Sequence, residues 1–296
     1  MLIALTGASG FIGAAIARHA AQCGHGVRAL VRERSRRDHI EPFVDRFVVG
    51  AHDDASGCAE LLDGVDAVIH NSFDWPALRD GDLMAHMRSN MLWSIDLLQA
   101  TGERPFIYMS SIAVHHFMHP RWEGLIDESH PTRPGTLYGS LKVAVEAHMW
   151  AANAERKQPV TAIRPCAVYG IDPNLERSIG WPIIESIRRG EAYNRLGGGK
   201  FVHVDDVAAA TVACLNNPAA SPKVYNLVDC YARWGDWASI VAELLGVDAK
   251  IDLSSPAAPK NTFDTTDVEA DLGVAMDRGL AGIREHLAAL IATQRT

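Results

Sequence analysis

This 296-residue sequence predicts an α/β fold: a doubly wound parallel sheet with a small discontinuous C-terminal lobe. Three observations carry that expectation. Short β-rich runs alternate with amphipathic helical stretches through the first two thirds of the chain. The chain begins with an apolar run, Leu2-Ile3-Ala4-Leu5, that passes straight into a glycine-rich turn and a helix. Beyond residue 170 the βα rhythm lapses at 171–200, rich in Gly, Pro and Arg, and again at 230–265, which carries Pro256 and Pro259.

In chain order, β-rich runs fall at 2–5, 27–31, 46–49, 67–70, 105–109 and 160–163. Helical patterns occupy 10–21, 83–100 and 138–156, and a helix at 204–216 and a strand at 224–228 return to the main sheet. Residues 1–170 with 201–229 are therefore expected to form the main domain, and 171–200 with 230–296 the lobe. The first turn reads Thr6-Gly7-Ala8-Ser9-Gly10-Phe11-Ile12-Gly13. Its glycines allow a tight turn, close backbone approach to a pyrophosphate, and packing of the helix on the strand. The helix then aims free N–H groups and its positive dipole end at that pyrophosphate. Strand, turn and helix in this order predict a Rossmann domain that binds a nicotinamide or related dinucleotide.

Composition excludes several alternatives. Formal net charge is −8, from 28 basic against 36 acidic residues, which argues against a nucleic-acid or anionic-membrane surface. The five cysteines form no C-x-x-C pair and suit a reducing compartment. No apolar run reaches membrane-spanning length, and the first strand begins at residue 2, so a cytoplasmic protein is expected.

The chemistry centres on Thr-Leu-Tyr-Gly-Ser-Leu-Lys, which sets Tyr138 and Lys142 four apart, on one face of a helix. A tyrosine working as acid and base near neutrality needs its phenolate stabilised by about 3 units, roughly 4 kcal/mol, and an adjacent ammonium helps. Upstream, Phe106-Ile-Tyr-Met-Ser110-Ser111-Ile-Ala-Val ends a strand with paired serines, either of which could bond a substrate carbonyl oxygen.

Glycine turn, strand-end serine and helical Tyr/Lys together resemble the short-chain dehydrogenase/reductase superfamily, most closely its extended branch, the NAD-dependent epimerase/dehydratase family. Val65-Asp66-Ala67-Val68-Ile69-His70, Asn90, Arg164-Pro165, Val168-Tyr169-Gly170 and Phe201-Val202-His203-Val204-Asp205-Asp206-Val207 extend the resemblance over nearly the whole chain. It implies that Tyr138 is the general acid/base, that Lys142 holds the nicotinamide ribose and lowers the tyrosine pKa, and that Ser111 rather than Ser110 binds the carbonyl. Asn90 would support a local water or a helix kink. The resemblance also implies cofactor contacts from Gly7, Ser9, Gly10, Phe11, Ile12, Gly13, Arg32, His52, Asn71, Ser72 and Pro165, beside Tyr138 and Lys142. Two long helices, 83–100 and 138–156, imply a homodimer by analogy.

Cofactor choice turns on the end of the second strand. NAD-preferring relatives carry an acid there that accepts from the adenosine ribose hydroxyls. Here Val31 is followed by Arg32, with Arg34, Ser35, Arg36 and Arg37 close behind, which suits a ribose 2′-phosphate, so NADP is preferred over NAD. At the end of the third strand Ala51 and His52 stand where an acid beside the adenine is usual.

Three departures bear on the substrate. No acid follows Ser111-Ile-Ala-Val, which argues against sugar-nucleotide dehydration. Gly199-Lys200 replaces the Arg-Asp of sugar-nucleotide epimerases, and Lys200 lacks bidentate geometry. Val114-His115-His116 replaces the family's Val-Tyr-Gly. His115, His116 and His119 are read as lining the substrate pocket, and no metal is expected. The leading reading is an NAD(P)-dependent oxidoreductase acting on a carbonyl or secondary alcohol of a small molecule. The alternatives are a nucleotide-sugar epimerase with tightly bound NAD and a redox-sensing binding protein without turnover.

Overall fold

A computed structural model describes residues 1–50, 55–116 and 120–294. Its strands are β1 (Leu2–Thr6), β2 (Gly26–Val31), β3 (Arg46–Val49), β4 (Ala67–His70), β5 (Phe106–Met109), β6 (Leu125–Ile126), β7 (Val160–Pro165), β8 (Ala167–Tyr169), β9 (Gly198–His203), β10 (Lys223–Leu227), β11 (Cys230–Arg233) and β12 (Thr262–Phe263). Its helices are α1 (Phe11–Gln22), α2 (Ala55–Leu62), α3 (Trp75–Arg79), α4 (Leu83–His86), α5 (Trp93–Thr101), α6 (Leu137–Arg156), α7 (Trp181–Arg188), α8 (Val204–Ala213), α9 (Trp234–Leu245), α10 (Thr266–Leu272) and α11 (Gly279–Thr293).

Seven strands form one parallel sheet in the order β10-β7-β5-β4-β1-β2-β3. The central strands are mostly apolar on both faces because both faces are covered, and the period-2 alternation sorts residues between two cores. Ile3 and Leu5 enter one core with α1, α8 and α10, while Ala4 enters the other with α5 and α6. In α6 the second core takes Leu141, Val145, Met149 and Ala152, the inward stripe of a helix. The expected doubly wound sheet is thus present, and its order reverses between β1 and β4. That switch opens a crevice at the carboxyl ends of the strands.

A second sheet, β11-β9-β8, and helices α7, α9 and α11 enclose a third core around Tyr169, Phe201, Trp237 and Leu287. The 230–265 stretch, read as lacking the βα rhythm, contains β11 and the twelve-residue α9. The prolines that obscured it lie beyond its end, where Gly246 closes the helix in the left-handed conformation. A second difference concerns 83–100, read as one helix. It is α4, a π-helical turn at Met87–Leu92, and α5, and Asn90 sits buried in the π turn. An extra residue per turn keeps the inward face in phase only locally, which a 3.6-residue pattern does not reveal.

Beneath the carboxyl ends of β5 and β7 lies a buried ion pair. Glu146 of α6 accepts from Arg164 Nε at 3.0 Å and from Arg164 Nη2 at 2.5 Å, and both residues are 3% exposed. The Ser110 hydroxyl also donates to Glu146. Arg164 Nη1 donates to His115 Nε2 at 3.1 Å, and His115 Nδ1 donates to Pro131 O at 3.3 Å. Burial first, and the Arg164 charge second, lower the His115 pKa to about 4, so this ring is neutral and fits that bonding.

Removing one partner of such a pair strands the other charge. Glu146→Ala is expected to lower unfolding free energy by about 3–5 kcal/mol in urea titrations, with Glu146→Met/Arg164→Met recovering at least half.

Candidate active site

The crevice at the β1/β4 switch is a groove of about 430 Å³ lined by Gly7, Ser9, Gly10, Phe11, Ile12, Arg32, Asn71, Ser72 and Trp75, among others. Gly7 sits at φ +70°, and a Cβ on Gly13 would meet Gly7 O at 2.0 Å. The turn is therefore tight and α1 lies directly against it, with Gly10 capping the helix through no side chain. Its first N–H groups face a ligand-sized space, a fit for a diphosphate. The predicted Gly7, Ser9, Gly10, Phe11, Ile12, Arg32, Asn71 and Ser72 all line this groove, whereas Gly13 is buried behind it. His52 lies outside the described residues. Among those described, no three His, Cys, Asp or Glu side chains gather as a metal site.

Tyr138 and Lys142 stand against Phe73 and Trp75 of the groove lining, Tyr138 against both and Lys142 against Phe73. Thr136 caps α6 by accepting from Gly139 N at 3.1 Å. Gly139 is needed for close approach: a Cβ there would meet Ala113 O at 2.6 Å. The first turn of α6 therefore rests on the 112–115 turn, which Ser111 caps by accepting from Ala113 N at 3.2 Å. This contact brings Ser111 to Tyr138. Burial raises the Tyr138 phenol pKa, and a hydrogen bond with Ser111 pulls it back down. Ser111 also donates to Pro165 O at 3.4 Å, which is how Pro165 enters the site. Ser110 points away, to Glu146.

Lys142 is 3% exposed and donates to Met109 O at 2.7 Å. Its ammonium lies 4.6 Å from the Tyr108 ring centre, 5.1 Å from Phe73 and 5.5 Å from Tyr138. Burial lowers its pKa to about 7, partly opposed by Glu146 one turn along the helix. A lysine so placed favours a phenolate beside it, since opposite charges relieve each other's desolvation.

Asn90 does not reach this cluster. Its Oδ1 accepts from Asp74 N at 2.6 Å, and its Nδ2 donates to Asp74 O at 3.1 Å and to His86 Nδ1 at 3.0 Å. It thereby pins the loop that carries Phe73 and Trp75. The Asn90 carbonyl accepts from Ser94 Oγ, and Ser94 meets His70 Nε2 at 2.8 Å. Thr6 Oγ1 accepts from Asn71 N and Ser72 N, each at 3.1 Å, so its proton goes to His70 Nδ1 at 2.8 Å. His70 consequently donates from Nε2, and the chain of bonds has one direction from the β1 end to the π turn.

Several residues escaped sequence reasoning. Trp75 stacks on Tyr138 at 5.2 Å and 19°, with Phe73 edge-on at 5.1 Å, roofing the tyrosine. Nothing in their loop signalled this. Glu146 had a signal, its i,i+4 spacing from Lys142 on the same helix face. His115 is buried and bonded at both nitrogens, so it braces Arg164 instead of lining a pocket. His116 is exposed, and His119 lies outside the described residues. Arg32 and Arg34 are exposed at the end of β2 and border a neighbouring open hollow of about 700 Å³.

Comparison with known proteins identifies a family and a fold. The chain matches the NAD dependent epimerase/dehydratase family over residues 3–227. An uncharacterized protein of Sinorhizobium fredii is 30% identical over 217 residues, which are 72% of this chain and 52% of that protein, so this chain spans about half its length. A dihydroflavonol 4-reductase of Dianthus caryophyllus is 24% identical over 265 residues, covering 81% of this chain and 72% of that one. The fold is similar to UDP-glucuronic acid 4-epimerase from Bacillus cereus, solved with UDP-glucuronic acid and NAD, at 20% identity, TM-score 0.81, and 99% and 100% of the two chains. On its family match and its sheet, the chain belongs to the NAD dependent epimerase/dehydratase family, within the extended short-chain dehydrogenases/reductases.

Proposed function

We propose that this enzyme is an NADP-preferring reductase that moves hydride between the nicotinamide and a carbonyl or secondary alcohol of a small molecule. The observation that carries this reading is the convergence of Ser111, Tyr138 and Lys142 beside Phe73 and Trp75 of a groove that Arg32 lines at its β2 edge. The bound cofactor supplies the hydride at nicotinamide carbon four. In the reducing direction Ser111 and Tyr138 polarise the carbonyl oxygen, and the Tyr138 hydroxyl gives that oxygen its proton as hydride reaches the carbon. The phenolate left behind is held by the Lys142 ammonium and reprotonated from solvent; oxidation reverses each step. Trp75 and Phe73 limit water at the tyrosine.

The lobe around α7, α9 and α11 selects the substrate in this reading. Lys200, on β9 of the lobe's sheet, lies near Cys166 and His116, and burial lowers its pKa. The likeness to an epimerase fold favours a second reading, sugar-nucleotide epimerisation by the same residues. Exposed Leu92 and Trp150, on the π turn and α6, support a homodimer through those segments.

Freshly purified protein is expected to release no stoichiometric dinucleotide on denaturation and to bind NADPH more tightly than NADH. Arg32→Ala is expected to weaken NADPH about tenfold or more while leaving NADH unchanged. Near-stoichiometric bound NAD would instead establish the epimerase reading.

Tyr138→Phe is expected to lower turnover of a carbonyl substrate, found by screening NADPH oxidation, about 10²–10⁴-fold with dinucleotide affinity unchanged. Unaltered turnover would remove Tyr138 from the chemistry.

The lysine makes a separate prediction about stability. Unfolded Lys titrates near 10.4 and folded Lys142 near 7, so between these values the unfolded chain binds more protons and stability rises with pH. The charging penalty is full below about pH 7 and gone above about pH 10. Lys142→Met should therefore be more stable than the parent at pH 6, the difference shrinking by order 4 kcal/mol towards pH 10 in urea titrations.

A further inference from the structure

Among the described residues, those that line the groove come from the first 75 of the chain, and Arg177 is the exception. It ends a short turn, Leu175–Arg177, in which Arg177 N donates to Asn174 O at 2.9 Å. That turn is anchored on the lobe. Leu175 packs against the third core, Asp172 N donates to Ser178 Oγ at 3.0 Å, and Asn174 N donates to Asp172 Oδ1 at 2.7 Å. The backbone of Arg177 is thus held on one side of the crevice while its exposed side chain lines the other side's groove.

Charge makes this placement informative. A dinucleotide brings a diphosphate with two negative charges, and the N-terminus of α1 offsets about half a charge. Among the described residues the lining has one other cation, Arg32, which also borders the hollow formed with Glu33, Arg34, Ser35, Val49 and Gly50, at the β2–β3 end. Asp74, the one carboxylate in the lining among the described residues, is engaged as the cap of α3 through Ala77 N. The Arg177 side chain has no hydrogen-bond or ion-pair partner among the described residues.

We propose that Arg177 is the lobe's own contact on the dinucleotide diphosphate, so that cofactor binding latches the lobe across the groove; this rests on the dinucleotide reading above. The guanidinium makes a charge-assisted bond that the 7–75 wall does not supply. The latch orders binding, because the substrate wall is fixed only after the cofactor is seated.

The test uses ADP-ribose, which carries the diphosphate but neither nicotinamide nor 2′-phosphate. Calorimetric titration should show Arg177→Ala binding it about tenfold or more weakly than the parent, with Arg177→Lys recovering part of the loss. Hydrogen exchange across 175–188 should slow when ADP-ribose binds the parent and stay unchanged in Arg177→Ala. The ligand-free melting temperature should be the same for parent and variant, since Arg177 is exposed. Equal ADP-ribose affinity and equal slowing of exchange in Arg177→Ala would overturn the latch while leaving the dinucleotide site intact. A parent protein that binds neither ADP-ribose nor NADPH would overturn the dinucleotide reading itself.

Discussion

A line of buried charge runs beneath the site, and the rest of the arrangement is built on it. Lys142, Glu146 and Arg164 are each 3% exposed, and two cations share one carboxylate. Arg164 takes both carboxylate oxygens, so Lys142 is left with a backbone carbonyl and aromatic faces as its company. An ammonium held this way is costly to charge, which is the meaning of its pKa near 7. The arrangement keeps a positive centre poised where a phenolate can relieve it. Ser110, His115 and Pro131 extend the same network and hold the end of β5, the strand from which Ser111 projects.

The second support is the loop between β4 and α3. Thr6 binds its start through Asn71 and Ser72, and Asn90 clasps Asp74 from the π turn. Phe73 and Trp75 are consequently presented over Tyr138 by a backbone fixed at both ends. The π turn has a local function in this scheme. It carries Asn90 inward and frees its carbonyl for Ser94, which joins the loop to His70 and the end of β1. The same loop lines the groove, so the cofactor side and the tyrosine side share one structural part.

Much of this was legible beforehand, and the failures have specific causes. The glycine turn, the paired Tyr138 and Lys142, and Ser111 could be found because each depends on local spacing. Ser111 was separated from Ser110 by lining up the residues that follow it, and the structure places only Ser111 beside Tyr138. A loop position at the cleft predicts that His115 lines the substrate pocket, whereas the ring is buried. Its burial depends on Arg164, 49 positions along the chain. The helix at 83–100 was drawn straight because an inserted residue leaves the apolar pattern nearly intact.

The sequence by itself determined the parallel sheet, its open crevice, the glycine turn and the candidate trio Ser111, Tyr138 and Lys142. These follow from short-range regularities: two-residue alternation, 3.6-residue periodicity and the conformational range of glycine. Only the tertiary structure decided which carboxylate neutralises Arg164, what Asn90 holds, what roofs Tyr138, and which arginine the lobe brings to the groove. Those partners lie far apart in the chain and meet only because the strand order and the lobe's own core place their backbones together. The final distances depend on packing, down to the missing Cβ of Gly139 that lets α6 settle against the serine turn.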